Sequence, residues 1–380
     1  MDRWYRERPF HHEDDKGKER WIYKDGKGRV RKEVEVFLTL GKKTDLLFLK
    51  KKVLSNIKKQ VEHFSSSRRR LYASKNQEAV SRCPVCGKGV SISREKVKIY
   101  GARYHQCRNC SHVYVVNRPS KKSIGEFYLS DINYASQYAD KSLIEFRIEQ
   151  IAVPWMRWMC DTFKRIHGKR PKNILDVGSG AGHFVFACKR AGIKARGIEL
   201  SEHSRRFAKD SLGIELDGCD FTKEAMRYKG VDVVTFWGLL EHTTNPKEIM
   251  QTTSRLLREN PQAMVIAKVP RWYSISSAIQ TILTGSIIRH LDPMGHIMCF
   301  TDASCATLFT NSGFMPRAAW YYGMDIYELL MQLGLKLDNI DILTKSGDVV
   351  GKLQNFIDQA CIPDGLTLAG VPYKKGEPTA

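Results

Sequence analysis

Long apolar runs are missing from this sequence of 380 residues. No stretch of about eighteen consecutive apolar residues occurs, which argues against a transmembrane helix. Residues 1–8 are charged and contain no apolar segment, so a secretory signal is not expected. Acidic residues are also scarce, since 41 Asp and Glu stand against 62 Lys and Arg. We therefore expect a cytoplasmic protein, long enough for two or three domains with cores of their own.

The shortage of acidic residues gives a formal net charge of +21. Much of it lies near the N-terminus, where residues 1–82 contain 23 basic and 12 acidic side chains. A basic region of this kind suits an anionic partner such as nucleic acid, an acidic lipid surface or a phosphorylated substrate. The alternative is a solvated extension that only keeps the protein soluble.

Residues 1–80 are predicted to form a basic extension with two elements. Asp25-Gly26 is a turn signal inside residues 21–40, which indicates a β-hairpin. Residues 45–64 have apolar side chains at helical spacing and lysines on the other face. This indicates an amphipathic helix that packs on the protein body or makes peripheral contact with a membrane. Residues 65–70, Ser-Ser-Ser-Arg-Arg-Arg, are expected to be a linker.

Four of the ten cysteines form two Cys-x-x-Cys pairs separated by twenty residues. Four thiolates at this spacing satisfy the tetrahedral coordination of zinc. We predict a zinc ribbon over residues 81–118, with an iron site of rubredoxin type as the alternative; its ligands are Cys83, Cys86, Cys107 and Cys110. The six other cysteines are interpreted as small core residues, because disulfides are uncommon in cytosolic proteins. His105 and His112 beside the second pair are interpreted as surface residues.

A strand, a glycine turn and a helix are predicted from Ile174 onward. Ile174 to Val177 is a short apolar run typical of a buried strand, and three glycines follow at alternate positions. Glycine lets the backbone approach a ligand closely, because no Cβ stands in the way. Glu199 ends the next predicted strand, where an acid can accept the ribose hydroxyls of a nucleoside. The pattern indicates a nucleoside-containing ligand at the strand ends.

A later motif narrows the ligand. The strand predicted at residues 231–236 is followed by Leu239-Leu240-Glu241-His242. Together with the glycine turn, this order of motifs resembles that of class I S-adenosylmethionine (SAM)-dependent methyltransferases of the type 11/23 kind. These enzymes carry D-x-G-x-G-x-G and L-x-E-H motifs. A dinucleotide site is disfavoured, because the G-x-G-x-x-G spacing is absent. The resemblance runs from about Tyr134 to the C-terminus.

The resemblance implies an α/β fold for residues 119–380. The expected core is a Rossmann-like, seven-stranded class I methyltransferase sheet with helices on both faces, preceded by the zinc ribbon and the basic extension. It also implies how SAM is held. Asp176 would reach the methionine ammonium, Gly178 and Gly180 would admit the methionine and ribose, and Glu199 would accept the ribose hydroxyls.

Other cofactor contacts are implied on the adenine side and above the cofactor. Asp220 and Phe221 occupy the positions that contact adenine in the family, although Asp220 before Thr222 also suits a helix cap. Tyr134 and Tyr138 lie in the segment that covers SAM in such enzymes. Ordinary packing of two core aromatics is the alternative.

Two histidines are candidates for removing a proton from the methyl acceptor. His242 follows the fourth strand, and His296 precedes Phe300-Thr301 as in the H-x-x-x-F-T segment of the family. A histidine can take a hydroxyl proton because its pKa lies near neutrality; bracing a loop is the alternative for both. Ubiquinone-pathway O-methyltransferases use an acid three positions before the Glu of E-H to form a metal site. Gly238 stands there, so metal-assisted catalysis is not expected, and the expected cofactors are SAM and a structural zinc ion.

The acceptor is the least defined part of the prediction. A ribbon, then tyrosines, then the glycine motif resembles bacterial methyltransferases of surface-polysaccharide biosynthesis, which implies a small-molecule or glycan acceptor, such as a sugar precursor. Residues 236–239 lack the Asn/Asp-Pro-Pro-aromatic motif of base-modifying amino methyltransferases. The alternatives are an RNA methyltransferase, whose ribbon and basic extension hold phosphates, and a SAM-binding protein without activity.

Overall fold

The computed structural model describes residues 2–7, 17–73, 75, 77–120, 122–124 and 140–373. Within these ranges the strands form a nine-stranded, a four-stranded and a two-stranded sheet. Within the same ranges, no helix combines the length and apolar composition needed to cross a membrane.

The N-terminal region contributes three strands and two helices. These are β1 (Arg3–Glu7), β2 (Lys18–Lys24), β3 (Val30–Leu40), α1 (Leu46–Leu54) and α2 (Ile57–Ala73). The predicted hairpin is present as the antiparallel pair of β2 and β3, and the backbone N–H of Gly28 donates to the Asp25 carbonyl in its turn. The predicted helix is divided in two at residues 55–56, and its apolar face packs against helices near the C-terminus.

The linker predicted at residues 65–70 is wrong, because these residues lie inside α2. Serine and arginine runs are compatible with a helix when tertiary contacts hold them. Here Arg68 is buried against Asp292, and the Tyr72 hydroxyl donates to the Pro293 carbonyl at 2.7 Å. These contacts extend α2 past the polar run.

The cysteine-rich region is made of short strands. They are β4 (Gln77–Ala79), β5 (Ser93–Ile99), β6 (Ala102–Cys107), β7 (Val113–Val115) and β8 (Asn117–Pro119). Strands β5, β6 and β7 form an antiparallel sheet, and β4 pairs with β8. The interpretation of His112 as a surface residue is wrong, because it is completely buried and its Nδ1 lies 3.4 Å from the Ser304 hydroxyl.

Strands and helices alternate through the rest of the chain. They are α3 (Ile144–Arg147), α4 (Val153–His167), β9 (Asn173–Val177), α5 (His183–Arg190), β10 (Lys194–Ile198), α6 (Glu202–Leu212), α7 (Phe221–Glu224), β11 (Val233–Trp237), α8 (Pro246–Leu257), β12 (Met264–Pro270), α9 (Ile275–Ile282), β13 (Met298–Cys299), α10 (Asp302–Thr310), β14 (Phe314–Tyr321), α11 (Asp325–Lys336), α12 (Asp341–Thr344), α13 (Val349–Gln359) and β15 (Gly365–Pro372). A π-helical turn at Ile148–Ala152 separates α3 from α4, and Pro154 occupies the first turn of α4, where its missing N–H is tolerated.

The large sheet has the order β1-β2-β3-β14-β15-β12-β11-β9-β10. Strands β12, β11, β9 and β10 are parallel, and β15 is antiparallel to both of its neighbours. The class I methyltransferase sheet predicted from the sequence is confirmed. The division into residues 1–80, 81–118 and 119–380 stays a prediction, but β3 of the first range pairs in parallel with β14 of the third.

The strand count differs from the predicted seven in a specific way. Between α6 and α7, where the seven-stranded sheet would have a strand beside β10, the chain forms only one bridge, between Ile198 and Asp217. Three residues later the Asp220 side chain caps α7. Six strands from residues 173–372 and three from the N-terminal region therefore build the sheet.

Candidate active site

A cavity of 2250 Å³ lies at the carboxyl ends of the parallel strands. Its wall includes the glycine turn after β9, the residues that follow β10 and β11, and the end of β12. Helices α1 and α2 contribute further wall residues, among them Leu46, Lys50 and Phe64. Open parallel sheets bind their ligands at this edge, so the N-terminal helices cover a region that the fold uses for ligands.

The glycine turn needs glycine for its backbone conformation. Gly178, Gly180 and Gly182 have φ of +75°, +52° and +77°, a region that side chains with a Cβ rarely adopt. A Cβ on Gly178 would also lie 3.0 Å from Leu239 Cδ1, whereas at Gly180 nothing described lies within 4 Å. Leu239, which follows β11, thus packs against the turn at Gly178, whereas no described residue packs against Gly180.

Glu199 is bound to this turn. Its carboxylate accepts the backbone N–H of Gly180 at 2.8 Å and that of Ser201 at 2.7 Å. Burial raises the pKa of Glu199, and these two donors oppose that rise. The side chain is fixed at the end of β10 and lines the cavity, the position predicted for the ribose acceptor.

Asp176 lies deeper than Glu199. It is 2% exposed, and its carboxylate accepts the Thr235 hydroxyl at 2.7 Å. Burial raises the pKa of Asp176 to about 7. An ammonium group beside this carboxylate would lower that pKa again, so the predicted contact with the methionine ammonium is electrostatically consistent and stays a prediction.

The adenine-side residues also lie in the cavity wall. Asp220 accepts the Thr222 backbone N–H at 2.9 Å as the cap of α7, which was the alternative role for this residue. That bond uses Oδ1, so Oδ2 is not needed for the cap. Phe221 is buried and meets Phe236 edge-on at 6.1 Å. Tyr134 and Tyr138 lie outside the described residues.

Glu241, His242 and His296 form a cluster in the cavity wall. The His242 and His296 Nε2 atoms lie 3.9 Å and 4.0 Å from Glu241 Oε1, and the two rings are 4.9 Å apart. Glu241 is 3% exposed, and its Oε2 has no hydrogen-bond partner among the described residues. The structure thus brings together both histidines that the sequence singled out, with a buried carboxylate between them.

The protonation state of the histidines follows from their neighbours. His242 Nδ1 lies 2.8 Å from the Gly295 carbonyl, and His296 Nδ1 lies 2.6 Å from the His290 carbonyl. A carbonyl only accepts, so Nδ1 carries the proton in each ring and Nε2 is unprotonated in the neutral form. Burial lowers the pKa of each ring to about 4, so the expectation that these histidines titrate near neutrality is wrong. His296 therefore presents a neutral Nε2 lone pair towards Glu241 at physiological pH.

The same three side chains are of the types that bind divalent cations, and their donor atoms lie within 4.8 Å of one another. Gly238 argues against a metal site of the ubiquinone-pathway kind, but His296 supplies a third donor beside Glu241 and His242. Adjacent ligands of a tetrahedral ion with bonds of about 2.1 Å are about 3.4 Å apart. The observed 3.9 Å and 4.0 Å are wider, so a cation would require the side chains to move closer.

The segment that carries His296 is held from outside by residues that the sequence did not single out. The Tyr104 hydroxyl lies 3.0 Å from both the Leu291 and the His296 carbonyls. Strand β13 pairs with β7, so the ribbon sheet continues into this segment. Arg68 of α2 donates to both carboxylate oxygens of Asp292 at 2.8 and 2.9 Å. No local sequence pattern marks these contacts, because each joins positions far apart in the chain.

The four predicted zinc ligands converge. Cys83 Sγ lies 3.6 Å from Cys110 Sγ, and Cys86 Sγ lies 3.6 Å from Cys107 Sγ. Zinc with sulfur bonds of about 2.3 Å separates its sulfur ligands by about 3.8 Å, so the four thiols fit a tetrahedral ion. The predicted zinc site therefore has suitable geometry.

Metal analysis of the purified protein is expected to give one zinc per chain. Replacing Cys83 with serine should remove it, because three thiolates bind zinc much more weakly than four. Cys160, a cysteine outside the cluster, provides the control: Cys160→Ser should retain the metal. A metal-free wild type with the ribbon folded would contradict the zinc assignment, and iron in its place would establish the rubredoxin alternative.

Part of the chain is similar in sequence to known methyltransferases. Residues 149–318 match the family model described as a methyltransferase domain. A ubiquinone biosynthesis O-methyltransferase of Cupriavidus pinatubonensis is 27% identical over 190 residues, which are 48% of this chain and 72% of that protein. The corresponding enzyme of Nitrosomonas europaea is 33% identical over 99 residues, 24% of this chain and 42% of that protein.

Two solved methyltransferase structures are also similar to this chain, at lower sequence identity. The plantazolicin methyltransferase BamL, solved with SAH, is 17% identical, with a TM-score of 0.44 over 66% of this chain and 94% of that one. Magnesium protoporphyrin IX methyltransferase of Synechocystis is 10% identical, with a TM-score of 0.41 over 67% of this chain and 100% of that one. The domain match covers the glycine turn, Glu199 and the Glu241–His242 motif, all of which line one cavity at the strand ends. Residues 149–318 are therefore similar to a methyltransferase domain.

Proposed function

We propose that the protein transfers the methyl group of SAM to a hydroxyl of a small-molecule acceptor, and that His296 takes the hydroxyl proton. The observation that carries this proposal is the neutral His296 Nε2, which faces the Glu241 carboxylate in the cavity that also contains the glycine turn. The curated relatives are O-methyltransferases, which supports oxygen as the methylated atom. Neither the relatives nor the cavity favours a sugar, so the proposal names only the hydroxyl class.

Each group in the cluster has a distinct part in this reaction. The methyl carbon of SAM is already activated by the sulfonium, so the protein needs to align the acceptor oxygen and accept its proton. The proton moves from the acceptor hydroxyl to His296 Nε2, while the acceptor oxygen forms its bond to the methyl carbon and the carbon–sulfur bond breaks. The imidazolium then lies 4.0 Å from Glu241 Oε1, which stabilises the new charge. His242 is held against the Gly295 carbonyl and positions the same segment.

Replacing His296 with alanine should lower turnover by 10²-fold or more, the usual contribution of a general base, while SAM affinity stays unchanged. Turnover can be followed by mass spectrometry of cell extract incubated with the protein and isotopically labelled SAM. His203, an exposed histidine on α6, provides the control, and His203→Ala should react like the wild type. A wild-type rate for His296→Ala would show that His296 is a structural residue and not the base.

The pH profile gives an independent test of the same role. The pKa of His296 is lowered to about 4, so its base form is present above that pH and is lost as the pH falls through it. Turnover should therefore be flat between about pH 6 and 8 with respect to this group. Activity that requires added Mg²⁺ or Mn²⁺ would show that a bound cation, and not His296, activates the acceptor hydroxyl.

The same labelling experiment distinguishes the alternative functions. Methylated RNA in the extract would establish the RNA alternative, and no labelled product in any extract would favour a non-catalytic protein.

A further inference from the structure

His290 lies in the cavity wall with an uncommon backbone conformation. Its φ is +48°, in the left-handed region that residues with a Cβ adopt only at an energetic cost. Among the five described residues other than glycine with positive φ, it is the one that lines the cavity. Glycine would adopt this conformation freely, so a histidine at this position indicates that its ring is used.

The His290 ring is held by Ser277 of α9. The Ser277 hydroxyl lies 2.8 Å from His290 Nε2, which is a hydrogen bond in either tautomer of that ring. Ser277 and His290 are 2% and 1% exposed, so water does not compete for the bond. Ser277 is itself fixed, because its backbone N–H donates to the Ser274 hydroxyl that caps α9. The ring is therefore anchored to the first turn of a helix.

The peptide bond between residues 290 and 291 joins the same helix to the proposed base. Its N–H, on Leu291, donates to Gln280 Oε1 at 2.8 Å, and its carbonyl accepts the His296 Nδ1–H at 2.6 Å. The peptide is trans and planar, so its N–H and its carbonyl point in opposite directions. Holding the N–H on Gln280 therefore aims the carbonyl at His296.

Gln280 is fixed in the orientation that this contact requires. Its Nε2 donates to Glu328 Oε1 at 2.5 Å, which leaves Oε1 as the acceptor for Leu291. Gln280 and Glu328 are both completely buried. Gln280 follows Ser277 by three positions, so the two side chains lie on one face of α9. One helix face thus holds both the ring of His290 and the peptide that follows it.

We propose that Ser277 and Gln280 are positioning residues that set the tautomer of His296. The inference rests on the proposed function, because it concerns the base of that reaction. With the 290 carbonyl on Nδ1–H, the lone pair stays on Nε2, which faces Glu241. Without that carbonyl the proton would be shared between the two ring nitrogens, and a neutral ring protonated on Nε2 has no lone pair there for the acceptor proton. Neither Ser277 nor Gln280 is among the residues that line the cavity, so both act through His290.

The tautomer can be measured without an acceptor. In ¹⁵N NMR of histidine-labelled full-length protein at neutral pH, protonated and unprotonated imidazole nitrogens differ in chemical shift. The chain contains 11 histidines, so the spectrum of His296→Ala identifies the His296 signals by their absence. The wild type should show Nδ1 protonated and Nε2 unprotonated, whereas Ser277→Ala and Gln280→Met should each show both tautomers of His296. Thr281→Ala is the control and should match the wild type, because its hydroxyl donates to the Ala278 carbonyl within α9.

Turnover and cofactor affinity should respond differently to these changes. Ser277→Ala and Gln280→Met should each lower turnover by about 10- to 100-fold, because a small displacement of a reacting group has a large effect on rate. SAM affinity measured by calorimetry should equal that of the wild type, since neither residue lines the cavity. The double variant should be slowed by less than the product of the two single effects, because both changes act through His290.

A wild-type tautomer of His296 in both variants would overturn the inference. So would wild-type turnover in both variants combined with lower urea midpoints, because residues that only support the fold give that result. Where Gln280→Met does not fold, Ser277→Ala carries the test, since it leaves the Gln280 bonds in place. A changed tautomer together with a wild-type rate for His296→Ala refutes the proposed base and not the contacts that set its tautomer.

Discussion

Replacing Arg68 with methionine is expected to lower the free energy of unfolding by about 3–5 kcal/mol, the usual result of removing one partner from a buried ion pair. Arg68 and Asp292 are 5% and 7% exposed, and the guanidinium donates to both carboxylate oxygens. Methionine fills much of the same volume but leaves the Asp292 carboxylate buried without its cation. Urea unfolding followed by circular dichroism measures the change.

Two variants distinguish the ion pair from a general effect on α2. Arg70→Met lies on the exposed side of the same helix, where the arginine bonds only to Ser66 among the described residues, so it should change stability by less than about 0.5 kcal/mol. Arg68→Met combined with Asp292→Leu removes both charges and should recover most of the loss. Equal losses in the single and double variants would show that packing, and not charge, holds this contact.

The Arg68 effect should also depend on pH in a defined direction. Arg68 holds the pKa of Asp292 below its ordinary value, so the stability that the pair contributes is present at neutral pH and is lost as the pH falls through that lowered pKa. In Arg68→Met, burial still raises the pKa of Asp292 and the Arg68 charge no longer lowers it, so the variant gains stability when Asp292 is protonated. The difference between wild type and variant should therefore shrink from pH 7 to pH 4.

The contact matters beyond stability because of where Asp292 lies. Its backbone carbonyl accepts the His296 N–H at 2.8 Å, so the ion pair fixes the turn that presents the proposed base. Tyr104 of the cysteine-rich region fixes the same turn from the other side. Two regions that precede the methyltransferase domain in sequence thus hold one wall of its cavity.

The difference between short-range spacing and contacts between distant residues explains which parts of the molecule the sequence could predict. The glycine turn, Glu199 and the cysteine pairs depend on short-range spacing, and backbone conformation or ligand geometry demands those residue types at those positions. Their convergence in the structure follows from the sheet order that the family motif implies. His242 and His296 were found in the same way, since each stands beside a recognisable motif.

The parts that were mispredicted depend on distant residues. Residues 65–70 have the composition of a linker, and contacts of α2 with Asp292 and Pro293, more than two hundred positions away, hold them in that helix. His112 follows a cysteine pair in a polar stretch but is buried against Ser304 and Phe300. Lys50 reads as one of several lysines on an amphipathic helix, and its place in the cavity depends on how α1 packs. Local pattern contains no signal for such contacts.

The largest expected effect on the cofactor comes from Glu199. Glu199→Ala removes the acceptor predicted for the ribose hydroxyls, and it also leaves the backbone N–H groups of Gly180 and Ser201 without their present partner. Both losses act on the cofactor end of the cavity. SAM affinity measured by calorimetry should fall at least tenfold, which corresponds to about 1.4 kcal/mol. Glu202→Ala, at an exposed glutamate paired with Arg206, should bind SAM like the wild type.

Further binding measurements on Glu199 variants distinguish a contact with the ribose from a contact with the reacting methyl group. SAH retains the ribose, so Glu199→Ala should weaken SAH and SAM by the same factor. The ionised carboxylate is the better acceptor for two hydroxyls, and the pKa of Glu199 is raised by burial. SAM affinity of the wild type should therefore decline as the pH falls through that raised pKa, whereas Glu199→Gln should be weak at every pH. An unchanged affinity in Glu199→Ala would remove Glu199 from the cofactor site, and a loss for SAM alone would move it from the ribose to the methyl end of the cavity.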